Sequence, residues 1–164
     1  MKEKLDIYNS RCELTGKIIE RGQKVLKNNE YIMLAVVFIK NSKGKYLIQK
    51  TSKEKDNILS STGGHVLHGE KPIEAIIREI KEELNLTINK QQLTFIKSVF
   101  IEDKPCIFNL FILEGDFDIK KIKIQEEEVE SVCWLDSKQI TRYIEDGKFL
   151  KSHGELFKII DNLK

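Results

Sequence analysis

The stretch GGHVLHGEKPIEAIIREIKEELNL, residues 63–86, crowds Glu79, Glu82 and Glu83 together with Arg78 beside them. Residues three and four apart share a helix face, so a helix here sets Glu79 beside Glu82 and Glu83, opposite a stripe of isoleucines. On a bare helix such like-charge pairs cost about a few tenths of a kcal/mol each. A hard divalent cation reverses the sign. Magnesium takes oxygen ligands and keeps several waters, so two or three carboxylates completed by phosphate oxygens suit it. Gly63, Gly64 and Gly69 precede the run and let backbone approach an ion or a phosphate with no Cβ in the way. On the helix alone, a solvated amphipathic surface explains the run as well, since REIKEEL is ordinary helix composition and Arg78 and Lys81 balance charge.

Those carboxylates need elements to aim them. Pro72 stands where a first helical turn begins and its missing N–H costs nothing. Ile73, Ile76, Ile77, Ile80 and Leu84 then recur at helical spacing, predicting a helix over Pro72–Leu84. Upstream, the apolar runs of residues 31–51 flank Asn41, Ser42, Lys43 and Gly44, which predicts a hairpin with a turn glycine. Residues 5–8 alternate as a short edge strand. Residues 15–25 read as polar and irregular, and residues 52–62 as a polar loop. Further strands are predicted over residues 93–101, 106–113 and 129–135, and closing helices over residues 137–145 and 153–163. Strands first, a helix in the middle and helices last indicate an α+β domain with a mixed sheet.

Composition narrows the function. The 164 residues fit one domain, 1–164, and carry 28 basic and 26 acidic side chains. A net charge of +2 with no basic block gives no reason to expect nucleic acid or an acidic membrane as partner. Cys12, Cys106 and Cys133 lack metal or disulfide spacing, which favours a reducing, cytoplasmic setting. Cys106 and Cys133 fall in predicted strands, where buried, inert thiols are usual. The N-terminus has no apolar signal core, and no apolar run approaches the roughly 18 residues that span a bilayer. Trp134, in a strand, reads more readily as core than as a base-stacking platform.

The spacing over residues 64–86 adds a resemblance. Gly64, Glu70, Arg78, Glu79, Glu82 and Glu83 fall as in the Nudix box, G-x5-E-x7-R-E-U-x-E-E-x-G-U. One letter departs: Asn85 stands for a glycine. Asparagine is the next-best residue in the left-handed conformation that ends a helix, so the capping role survives. The resemblance implies an α/β/α sandwich around a central mixed β-sheet and hydrolysis of a diphosphate linked to another moiety, with Mg²⁺ or Mn²⁺ as cofactor. Carried over residue by residue, it implies Glu79, Glu82, Glu83 and the Gly64 carbonyl as metal ligands, Arg78 as the residue that orients them, and Glu70 as its partner. It makes Glu83, Glu79, Arg78 and Glu70 the catalytic candidates. The family's general base is either a box glutamate or one from a distant loop, here Glu126, Glu127 or Glu128. His65 and His68 read equally as substrate-phosphate contacts and as loop-packing residues. Arg21, Lys24, Lys50, Lys53 and Lys55 are further phosphate candidates, though solvated surface is the plain reading of each. A homodimer is compatible with the family, which holds both monomers and dimers.

Segments outside the box, LTGKIIERGQ, YLIQKTSKEK and EEEVESVCWL, resemble the branch that includes isopentenyl diphosphate isomerase. That leaves two alternatives to a nucleotide-derivative hydrolase: the isomerase itself, or a non-catalytic module that binds a nucleotide-like effector. The isomerase uses a cysteine just before the box glycine and a separate His/Glu metal site. Here Gly63 stands at the cysteine position and all three box glutamates are present. His65 matches one of that site's histidines, whereas an upstream histidine position falls near Ile32 and one of the two downstream glutamate positions at Lys104.

Overall fold

The computed structural model describes residues 2–23 and 26–163. Its centre is β3 (Ile32–Lys40), paired antiparallel with β6 (Thr62–His65) on one side and parallel with β8 (Cys106–Glu114) on the other. β7 (Leu93–Phe100) closes the far edge against β8. β4 (Tyr46–Thr51) pairs with β5 (Leu59–Ser60) and β9 (Val129–Leu135). One parallel ladder among antiparallel ones makes the seven-stranded sheet mixed. Helix α1 (Pro72–Leu84) covers one face; α2 (Ser137–Glu145) and α3 (Lys151–Asp161) cover the other. The expected α/β/α sandwich is therefore the observed architecture.

Both faces of β3 are buried, which is why its run reads as continuous rather than alternating. Ala35, Val37 and Ile39 pack with Ile76, Ile80 and Leu84 of α1, while Val36 and Phe38 pack with Leu156, Phe157 and Ile160 of α3. The turn between β3 and β4 is held by the Asn41 side chain, whose Oδ1 accepts the N–H groups of Lys43 and Lys45 at 3.0 and 2.9 Å. After one pair, Lys40 with Tyr46, β3 and β4 part, and β6 takes the vacated edge of β3.

Two segments differ from the sequence expectation. Residues 15–25 are not irregular throughout: β2 (Leu14–Glu20) pairs antiparallel with β1 (Lys4–Tyr8) in a separate two-stranded sheet. The strand is almost wholly exposed, so no alternation marked it; Lys24 and Val25 lie outside the described residues. Residues 52–62 are not a plain polar loop either. They contain β5 and lead into β6, with Ser60, Ser61 and Thr62 buried, because their hydroxyl and amide groups find internal partners. Ser61 Oγ donates to the Val37 carbonyl, and Ser61 N–H donates to Nδ1 of His153 in α3 at 3.1 Å. Cys133, expected buried, is exposed, although it lies opposite buried Ile48; Trp134 is half-buried against the α1-side core.

Burial holds His153 neutral by pushing its pKa down to about 4, and the Lys104 charge acts in the same direction. The unfolded chain takes up that proton near pH 6.5 and the folded chain does not, so stability present above pH 6.5 is lost as pH falls toward 4. We expect a loss on the order of 3 kcal/mol from this residue across that window. Urea melts at pH 7 and pH 4.5 should show the difference, and His153→Gln should shrink it.

Candidate active site

Helix α1 begins with the Lys71 N–H donated to Glu74 Oε1 at 3.0 Å and ends at Asn85, which takes the left-handed conformation (φ 56°, ψ 35°). Asparagine thus does here what glycine does in the box pattern. Between those ends the carboxylates do not all point the same way. Glu82 is exposed, Glu79 half-buried, and Glu83 only 5% exposed. Glu83 follows Ile80 by three residues and Ile76 by seven, so it shares their face instead of opposing it.

Arg78 organises this surface. Its Nε and Nη2 grip Glu70 at 2.8 and 3.0 Å, Nη1 donates to Glu79 at 2.9 Å and Glu82 at 3.3 Å, and Nη2 also donates to the His65 carbonyl at 2.9 Å. The carboxylates around it, Glu70 foremost, raise the Arg78 pKa further. Burial works against charge on Glu70, yet the Arg78 and Leu67 hydrogen bonds prevail and its pKa is lowered. Glu79 and Glu83 go the other way. Burial pushes both up, Glu83 furthest, and each feels the other's charge or that of a neighbouring glutamate. Gln49 donates to Glu83 Oε2 at 2.7 Å.

Glu79, Glu82, Glu83 and Gly64 line one cavity of about 190 Å³, together with Gly63, His65, Glu3, Arg21, Gln125 and Glu128. Of the three glutamates in residues 126–128, only Glu128 reaches it; Glu126 faces a neighbouring hollow. Glu128 pairs with Lys55 at 2.9 Å. Burial, and then the Arg21 charge, lowers the His65 pKa to about 4, so His65 is neutral at pH 7. His68 is not in the cavity wall. Its Nδ1 meets Asp6 at 2.7 Å and ties the box loop to β1. Glu3, Arg21 and Gln125 are absent from the set the box spacing picks out, because two come from the β1–β2 hairpin and one from the loop before β9. A larger cavity of about 550 Å³ lies elsewhere, beside Leu59 and Tyr143, and carries no carboxylate cluster.

The donor set, carboxylates and a backbone carbonyl, is all oxygen and suits a hard divalent cation. Gly64 makes the fit close: a Cβ there would lie 2.2 Å from Glu79 Oε1, so the carboxylate rests against bare backbone. As they stand, Arg78 and Gln49 hold these carboxylates, and no three His, Cys, Asp or Glu side chains among the described residues are disposed to hold a metal ion.

Comparison with known proteins gives a consistent account. The family model of the NUDIX domain matches residues 31–157. An uncharacterized Nudix hydrolase of Listeria innocua is 31% identical, over 90% of this chain and 88% of that protein. The crystal structure of DR0079 from Deinococcus radiodurans superposes with a TM-score of 0.80 at 26% identity, covering 98% of both chains. A C. elegans Ap4A hydrolase shares the fold, with a TM-score of 0.58 at 23% identity, over 79% of this chain and 96% of that one.

The two glycines make opposite predictions. A Cβ on Gly63 would meet the Ala35 carbonyl oxygen at 2.7 Å, and backbone cannot step aside; a Cβ on Gly64 would meet a flexible carboxylate. Gly63→Ala should destabilise by about 1–3 kcal/mol. Gly64→Ala should melt near the wild type. Millimolar Mn²⁺ at about a hundred times its Kd should raise the wild-type Tm by roughly 5–10 °C. That shift should be largely lost in Gly64→Ala, and thermal melts with and without Mn²⁺ check all three.

Proposed function

We propose that this chain, which belongs to the NUDIX domain family and is a hydrolase acting on acid anhydrides in phosphorus-containing compounds, cleaves the pyrophosphate bond of a nucleotide or nucleoside diphosphate derivative with Mg²⁺ or Mn²⁺. The observation that carries this reading is the gathering of Glu79, Glu82, Glu83 and Gly64 around one small cavity, with Arg78 bound to two of the three glutamates. The Ap4A hydrolase named above supports the nucleotide part of the reading.

In this reading Glu79, Glu82, Glu83 and the Gly64 carbonyl would hold the cation. A divalent ion, when bound, neutralises pyrophosphate charge and acidifies a bound water. The protein's part is positioning. Glu70 fixes Arg78 by a two-point grip, and Arg78 in turn fixes Glu79 and Glu82. Glu128 enters the cavity from outside the box and is the loop candidate for the proton-accepting group; Lys55 keeps it oriented. Neutral His65 is the histidine retained as a substrate contact, since His68 is committed to Asp6.

Isomerisation of isopentenyl diphosphate is disfavoured by geometry as well as by residue type. Moving a double bond needs a group that can exchange a proton with carbon. On this backbone position 63 has no room for a side chain at all, since even a Cβ would press on the Ala35 carbonyl.

A panel of nucleoside diphosphates, triphosphates and diphosphate-linked derivatives, assayed for phosphate or pyrophosphate release with Mg²⁺, should contain at least one substrate. Glu82→Gln and Glu83→Gln should each lower its turnover roughly a hundredfold or more. Glu128→Gln should lower it less. Near wild-type rates in both box variants would refute the site, and conversion of isopentenyl to dimethylallyl diphosphate with silence across the panel would refute the reaction.

A further inference from the structure

Gln49 lies outside the box, on β4, yet it touches the box's most buried carboxylate. The strand alternates: Leu47 faces the α1-side core, Ile48 the opposite core, and Gln49 follows Leu47 inward. A polar side chain only 6% exposed at a core-facing position needs partners. Both ends of its amide have them. Nε2 donates to Glu83 Oε2 at 2.7 Å, and Oε1 accepts from Thr62 Oγ1 at 3.1 Å. Thr62 is itself buried, on β6, two residues before Gly64. An ionised carboxylate only accepts, whereas a hydroxyl both donates and accepts, so Glu83 decides which way the Gln49 amide faces and Thr62 answers by donating to the amide oxygen. With its NH₂ group on Glu83, the amide carbonyl is left facing Thr62, whose hydroxyl holds it there.

We propose that Gln49, locked by Thr62, is a positioning residue for Glu83: it fixes one carboxylate oxygen and so aims the other into the cavity. This rests on the hydrolase reading above and adds a partner from outside the helix. Arg78 bonds to Glu79 and Glu82, and the guanidinium's bonds include none to Glu83. The third carboxylate is thus oriented from the sheet. The string also spans the place where β3 and β4 part and β6 enters: the Thr62 bond holds β4 to β6, and the Glu83 bond holds β4 to α1. Apolar replacement of Gln49 would keep volume and burial but remove the hydrogen bond that fixes Glu83 Oε2.

The test uses Gln49→Met, Thr62→Val and Thr62→Ser in the full chain. Mn²⁺ binding is read by electron paramagnetic resonance, and kcat and KM are read on the best panel substrate. Gln49→Met should weaken Mn²⁺ roughly tenfold and lower kcat ten- to a hundredfold, with KM within about threefold. Thr62→Val should lower kcat about three- to tenfold, and Thr62→Ser, which restores the hydroxyl, should recover it. The Thr62 pair probes the same string by itself should Gln49→Met not fold. Wild-type Mn²⁺ affinity and kcat in both Gln49→Met and Thr62→Val would overturn the proposal, as would a lower Tm with both readouts unchanged. A wild-type protein that binds no Mn²⁺ at millimolar concentration and cleaves nothing in the panel would instead overturn the hydrolase reading, and this proposal with it.

Discussion

The guanidinium of Arg78 makes five hydrogen bonds, to Glu70 twice, Glu79, Glu82 and the His65 carbonyl, and no single-cation alternative in this fold could make the same set. A lysine ammonium has three donors and no fork; only the planar guanidinium can grip Glu70 at two points and still reach the others. The loop carrying Glu70, the strand end carrying His65 and the helix carrying Glu79 and Glu82 meet through this one group. Yet among the described residues Arg78 alone forms ion pairs with Glu70, Glu79 and Glu82, and Glu83 pairs with no cation. Burial raises the pKa values of Glu83 and Glu79, and the charge of a neighbouring glutamate adds to the rise. A fold that buries carboxylates without matching each to a cation holds stability below what apolar residues would give and keeps an unmet demand for positive charge.

That demand is brought to one point by the departure of β4 from β3. Had the hairpin stayed paired, β6 would have no edge to join and Gly64 would not lie beneath α1. Instead Gly63 and Gly64 pair with Val36 and Ala35, and each lacks a Cβ for a different reason. Gly63 lets β6 approach the β3 backbone. Gly64 lets the Glu79 carboxylate approach β6. One glycine serves the sheet and the other the site, although they are adjacent and alike in sequence.

Much of this is legible in the amino-acid sequence. The bounds of α1 follow from Pro72 and helical periodicity, both local signals, while its left-handed end at Asn85 and the partnership of Arg78 with Glu70 are what the resemblance to the Nudix box implies. The strands with strong β-branched runs are legible for the same reason. What escapes depends on contacts distant in sequence. β2 is exposed along its length and so shows no burial alternation. β6 is a tetrad with two glycines, whose propensity argues against a strand, and it forms because β3 offers an unpaired edge. The burial of Glu83 is legible in principle, since it stands three residues after Ile80, but grouping it with its acidic neighbours hides that. Gln49 leaves a fainter mark: a polar residue in phase with Leu47 on a strand whose inward face is otherwise apolar.

The hairpin of β1 and β2 shows why the box alone underdetermines the site. It precedes the residues that match the family, yet Glu3 and Arg21 line the carboxylate cavity, joined by a 2.8 Å ion pair. Asp6 pins it to the box loop by accepting from the Gly69 N–H at 2.9 Å and pairing with His68, and Tyr8 exchanges backbone bonds with Tyr31. So the hairpin is fastened at the loop that sets Glu70 and at the residue before β3, and Glu3 and Arg21 at its open end line the carboxylate cavity. Charge placed there acts on whatever enters: Arg21 is a contributor to the lowered pKa of His65, second only to burial. The residues that hold negative charge are fixed by local spacing within α1, whereas the cation that faces them is fixed by tertiary docking of a separate sheet. Changes in the hairpin can therefore alter what the cavity accepts without disturbing the helix that defines it.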